Sequence, residues 1–166
     1  MRKGFGVIGI IFFLIVLAGA GFLFYKTHNQ GLSEKEFQFN GQQYSILLPK
    51  NHLTKTAEKG VVSAGKGDVF ASIISFFPTS SNKEVSCSDI KAQKAFVVYN
   101  QNFKKDIEVC STTSTEKGVE IVMLDSPSLN DEKYRYTVGI GTTKKYFETE
   151  TGKSNLEKIF ASFKVK

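Results

Sequence analysis

The sequence predicts an α+β domain behind an N-terminal transmembrane helix, with an antiparallel sheet and about two helices packed against it. Three observations support this prediction. An uncharged apolar run covers Phe5–Tyr25, short runs of alternating apolar residues recur after it, and two later segments repeat their apolar residues with a helical period. Because tight turns join the strand runs, we expect antiparallel pairing with the helices on the sheet.

The apolar run at Phe5–Tyr25 holds 21 residues without charge or proline. A helix of that length spans about 31 Å, close to the hydrocarbon thickness of a bilayer. More positive charge precedes the run, at Arg2 and Lys3, than follows it, so the positive-inside rule keeps the N-terminus cytoplasmic and exports the rest. A cleaved signal peptide is the alternative, because Ala18-Gly-Ala20 resembles a cleavage site. Both alternatives place the domain outside the cytoplasm.

The chain therefore divides into four parts: a cytoplasmic N-terminus at 1–4, the transmembrane helix at 5–25, a polar linker at 26–36 and one extracytoplasmic domain at 37–166. A domain of about 130 residues can bury a single core without metal. The formal net charge of the whole chain is +6. Such a mildly basic balance is compatible with anionic polymers or lipid headgroups as partners.

Alternating apolar residues predict the strands. Phe37 and Phe39 lead into Asn40-Gly41, and the alternation resumes from Tyr44 to Leu48, which is a strong signal for a hairpin with a tight turn. Further strands are predicted at 61–64, 68–77, 107–111, 119–124, 134–140 and 145–149.

Two segments instead show a helical period. The first predicted helix covers 86–103 and the second about 154–163. The apolar residues of the two periods are Ala92, Phe96, Tyr99 and Phe103 in the first, and Leu156, Ile159, Phe160 and Phe163 in the second.

Both ends of the domain resemble PsbP/Mog1-like domains. The string Leu156-Glu-Lys-Ile-Phe-Ala-Ser-Phe-Lys164 is similar to their closing helix, and Tyr44-Ser-Ile-Leu-Leu-Pro49 is similar to their opening strand. The resemblance implies an extracytoplasmic binding or assembly module, not an enzyme.

The N-terminus resembles another family. Lys3-Gly4-Phe5 before an apolar run is similar to type IV prepilins and pseudopilins, which are cleaved after the glycine. That family usually carries a glutamate five residues into the mature chain, where this sequence has Gly9. The resemblance implies a structural subunit whose anchor takes part in assembly, and it stays open as an alternative function.

Cys87 and Cys110 are the only cysteines. An even pair in an exported domain predicts a disulfide. A helix that leaves Cys87 and a strand that returns to Cys110 would bring the two together. Two buried free thiols are the alternative.

No motif for catalysis, a cofactor or a metal stands out. His28 and His52 are the only histidines, too few for a typical zinc site, and both are expected on the surface. No Gly-x-Ser-x-Gly motif is present. We therefore expect a non-catalytic binding or assembly module of the cell envelope, without cofactor or nucleic acid. A pilin-like subunit and an envelope hydrolase with an unrecognised site are the alternatives.

One contact site is predicted, at Lys144, Lys145 and Tyr146, where basic and aromatic side chains adjoin. This combination suits an anionic wall polymer or lipid headgroups. The alternative is that these lysines protect the solvated edge of a strand. An envelope protein is the other partner we expect, besides the bilayer that holds the N-terminal helix.

Overall fold

The computed structural model describes four stretches of the chain, at 31–57, 60–78, 86–130 and 134–166. The predicted transmembrane helix at Phe5–Tyr25 lies outside the described residues, as do His28 and the start of the predicted linker. Within the described residues, no helix has the length and apolar character needed to cross a bilayer.

The described part contains ten strands and two helices. The strands are β1 (Leu32–Phe39), β2 (Gln42–Pro49), β3 (Leu53–Ala57), β4 (Gly60–Ala64), β5 (Val69–Pro78), β6 (Gln93–Asn100), β7 (Lys105–Glu116), β8 (Val119–Asn130), β9 (Tyr134–Thr143) and β10 (Lys164–Val165). The helices are α1 (Lys144–Phe147) and α2 (Glu150–Ser162). The predicted α+β class is therefore wrong, because the described domain is mostly β-sheet.

The strands form two antiparallel sheets. The smaller has the order β1-β2-β10, and the larger has the order β3-β4-β5-β9-β8-β7-β6. Side chains of the small sheet, of α2 and of one face of the large sheet share a single hydrophobic core. The large sheet therefore has an inner face against this core and an outer face on the opposite side.

The β1–β2 hairpin confirms the turn predicted at Asn40-Gly41. Both turn residues have positive φ, 48° and 79°, as a two-residue hairpin turn requires. Residues of β1 pair with β2 from Phe39 opposite Gln42 to Leu32 opposite Pro49. β1 therefore begins inside the segment that the sequence assigned to a linker.

The helix predicted at 86–103 is wrong. A turn at Cys87–Lys91 precedes β6, in which Phe96 and Val98 pack against the core while Tyr99, on the expected helical face, is exposed. The apolar residues of this edge strand occupy both faces, so spacings of three and four arose by coincidence. The continuous β-branched and aromatic run from Phe96 to Tyr99 suits a strand, and its pairing with β7 makes it one.

The strand predicted at 145–149 is also wrong, because α1 occupies this segment. The hydroxyl oxygen of Thr143 accepts a hydrogen bond from the backbone N–H of Tyr146 and caps the helix. The final helix is confirmed, although it begins at Glu150, four residues earlier than expected.

Polar contacts fix α2 between the two sheets. The side-chain amide of Asn100, which is fully buried, donates to the carbonyl oxygens of Phe160 and Phe163 at 3.3 and 2.9 Å. The Ser162 hydroxyl accepts from the N–H of Leu47 at 2.8 Å. The Asn100 bonds satisfy carbonyl groups at the helix C-terminus, and the Ser162 bond ties the helix to β2.

Candidate functional site

The Cys87–Cys110 disulfide is confirmed. Its Cα atoms lie 5.3 Å apart, within the range of ordinary disulfides, and both residues are buried. The path differs from the one expected, since a turn and the strand β6 separate the two residues. Cys110 lies on β7 and faces the outer side of the large sheet, away from its neighbour Val109 in the core.

Glu108 holds the turn that carries Cys87. One carboxylate oxygen accepts from the Cys87 N–H at 3.0 Å, and the other pairs with the Lys94 ammonium at 3.2 Å. The hydrogen bond from Cys87 and the contact with Lys94 keep the pKa of Glu108 below its usual value. Glu108 and both sulfur atoms lie within 4.8 Å of one another, but the sulfurs are bonded to each other and do not supply thiolate ligands.

Asp125 is the unusual acid of the outer face. It stands opposite Cys110 on β7 and Gly139 on β9, and paired residues share a face of the sheet. Burial raises the pKa of its carboxyl group to about 6. The group is therefore neutral in mild acid, where it can donate a hydrogen bond, and charged at neutral pH.

Asp125 was missed because the predicted strand ended at Leu124. An acid that directly follows the apolar run from Ile121 to Leu124 was the available signal, since buried carboxyl groups are uncommon without a partner.

The three residues predicted to contact anions lie together on α1, but two of them have partners. The Lys144 ammonium pairs with Glu120 at 2.9 Å, and this contact raises its pKa. The Tyr146 hydroxyl accepts from the Asn155 side chain at 2.8 Å. Lys145 is exposed. The anionic contact stays a prediction.

His52 is buried, with 2% of its surface exposed, which corrects the expectation of a surface residue. Its Nε2 lies 3.0 Å from the Val69 carbonyl oxygen, so Nε2 must donate, and Nδ1 then accepts from the Ser63 hydroxyl at 3.2 Å. Burial lowers the pKa of the ring. Ser63 is equally buried, so this serine–histidine pair is closed to a substrate and stabilises the fold.

Replacing His52 with glutamine should destabilise the domain at pH 7 and reduce its sensitivity to acid. Because the native ring has a lowered pKa, the unfolded chain binds more protons as the pH falls below 6.5, and the native His52 loses stability there. We expect a loss of about 1–2 kcal/mol at pH 7 from the altered hydrogen bonds. Urea unfolding at pH 7 and pH 5 measures both effects, and an unchanged pH dependence would contradict this role.

Hydrogen bonds join four segments where β1 begins, and we call this region the Gly31 end. The Lys50 N–H donates to Gly31 O at 3.0 Å, the Asn51 amide donates to Lys66 O at 2.7 Å, and the Thr143 N–H donates to Asp68 O at 2.9 Å. The Gly31 end comprises Gly31, Lys50 to Lys55, Gly65 to Asp68, and Thr143 with the start of α1.

Leu53 stands out in the Gly31 end. It is 82% exposed, the highest value among the large hydrophobic residues that the structure describes. A single exposed leucine is ordinary on a protein surface, so only the residues around Leu53 can indicate whether its exposure serves a function. No recognisable motif surrounds Leu53 in the sequence, so its exposure was not predicted.

Comparisons with known proteins leave the chain without an assigned family. No model of a known protein family matches it, and no curated protein matches it either. The resemblance to PsbP/Mog1-like domains therefore stays a prediction.

Proposed function

We propose that the protein is a membrane-anchored domain outside the cytoplasm that serves as a non-catalytic binding or assembly module of the cell envelope. The observation that carries this proposal is the Cys87–Cys110 disulfide. Disulfides persist in oxidising compartments and are rare in the cytosol. The uncharged run at Phe5–Tyr25, preceded by basic residues, supplies the anchor and the direction of export.

The contacts of the polar residues favour a module over an enzyme. The Ser63–His52 pair is buried, and Glu108 is engaged by Cys87 and Lys94. We therefore place the function in surface contacts of the domain.

Protease treatment of intact cells, followed by fractionation, tests the proposal. The native protein should sediment with membranes, and external protease should digest the domain while a cytoplasmic marker stays protected. Digestion only after the membrane is lysed would place the domain inside and overturn the proposal. A mature chain that begins at Phe5 would instead support the pilin-like subunit.

A further inference from the structure

We propose that the Gly31 end is a docking surface for an anionic lipid bilayer, with Leu53 in the interfacial layer and Lys50 and Lys55 against headgroup phosphates. This inference rests on the proposed anchoring. It adds which face of the domain meets the membrane and which residues make the contact.

The length of chain before Gly31 brings this end close to the bilayer. Six peptide steps separate Tyr25, the last residue of the apolar run, from Gly31. Fully extended, they reach about 20 Å. Gly31 is in turn fixed to the domain by its hydrogen bond with Lys50. The Gly31 end is therefore the part of the domain that the anchor holds nearest to the membrane surface.

The positive charge of the Gly31 end complements an anionic membrane surface. Lys50 and Lys55 are both exposed. The acid beside them, Asp68, accepts a hydrogen bond from the Thr143 hydroxyl at 3.1 Å. Lysines near an anionic leaflet are attracted to its surface potential, and the exposed Lys145 on α1 extends the basic surface beyond Thr143.

The apolar part of the surface is Leu53, which is the first residue of the edge strand β3. Lys55 lies two residues further on the same face of that strand. An exposed apolar side chain among lysines is the combination that binds the interfacial layer of anionic membranes, because burial and charge attraction add.

Packing beneath the surface holds its residues in place. The buried ring of His52 lies against Gly65, where an added Cβ would come within 2.4 Å of the His52 Cδ2 atom. The Asn51–Lys66 hydrogen bond joins the same two loops. Leu53 and the lysines are therefore presented together by a packed structure, which reduces the entropy lost on binding.

A tryptophan probe tests the docking in the full chain, because the natural sequence contains no tryptophan. Leu53→Trp is reconstituted into phosphatidylcholine vesicles that contain phosphatidylglycerol and acyl chains brominated near the headgroup. We expect blue-shifted emission and loss of most of its intensity to the bromine. Changing Lys50 and Lys55 to glutamate in the same protein should reverse most of this loss, as should high salt.

Val97→Trp is the matched control. Val97 is also exposed, but it lies on β6 at the opposite edge of the large sheet, six strand spacings or about 29 Å from β3. Its emission should remain that of a solvated indole. Equal quenching of the two variants, or a blue shift of Leu53→Trp without bromine quenching, would overturn the docking, the latter indicating a second protein copy. Failure of both variants to float with the vesicles would instead overturn the anchoring.

Discussion

Replacing Cys87 and Cys110 together with serine should lower the free energy of unfolding by about 3 kcal/mol, the chain-entropy value for a loop of this length. The disulfide closes a loop across a sequence separation of 23 residues. It also ties the turn before β6 to β7, and β6 is an edge strand with one neighbour. Both cysteines are buried, so the serine hydroxyls add a desolvation cost. Urea unfolding of the oxidised protein and of the variant measures the difference.

Reductant provides the control for this prediction. It should lower the stability of the natural protein towards that of the double variant and leave the variant itself unchanged. A double variant as stable as the oxidised protein would show that the disulfide does not stabilise the fold.

Replacing Asp125 with asparagine should stabilise the domain at pH 7. The native carboxyl has a pKa of about 6 against an ordinary value of 3.8, so the native state binds the proton more tightly than the unfolded chain. The free energy of unfolding of the natural protein therefore falls as the pH rises from about 4 to 6, and the whole decrease remains at higher pH. The difference in pKa corresponds to about 3 kcal/mol. Because the side chain keeps some contact with solvent, we expect a gain of about 2 kcal/mol.

The pH dependence separates this effect from a general improvement in packing. The asparagine variant should exceed the natural protein at pH 7 and match it near pH 4. Asp106→Asn, at an exposed position on β7, should change little at either pH. An Asp125→Asn protein that is less stable at pH 7 would mean that the charged carboxylate has a stabilising partner. His52 acts with the opposite sign, since its loss of stability comes with acidification.

Local sequence patterns were sufficient to predict an element where one feature of the sequence determined its structure. Asn40-Gly41 specified the first hairpin because both residues tolerate positive φ. The apolar face of α2 was recognisable because Leu156, Ile159 and Phe160 recur at helical spacing, and all three are fully buried. The strands β4, β5, β8 and β9 were likewise predicted from alternation and β-branched residues, although the end of β8 was not.

Tertiary context decided the rest. β6 became a strand because it pairs with β7 in a hairpin, from Asn100 opposite Lys105 to Gln93 opposite Ser111, and the helical spacing of Phe96 and Tyr99 does not reveal this pairing. The disulfide was predicted from the number of cysteines and from the compartment. That prediction was therefore correct although the helix predicted between Cys87 and Cys110 was wrong. The two-residue turn at Lys117-Gly118 sets the register that places Asp125 opposite Cys110. The pairing was missed because the predicted strand at 119–124 ended one residue before Asp125.

The compartment of the domain is the central claim, and the oxidation state of its cysteines in the cell tests it most directly. Cells are quenched in acid, the membrane fraction is alkylated before and after reduction, and the mass of the native protein is measured. We predict that the protein is in the membrane fraction and that Cys87 and Cys110 react only after reduction. Two alkylated thiols without reductant, or recovery of the full chain in the soluble fraction, would contradict a membrane-anchored domain outside the cytoplasm.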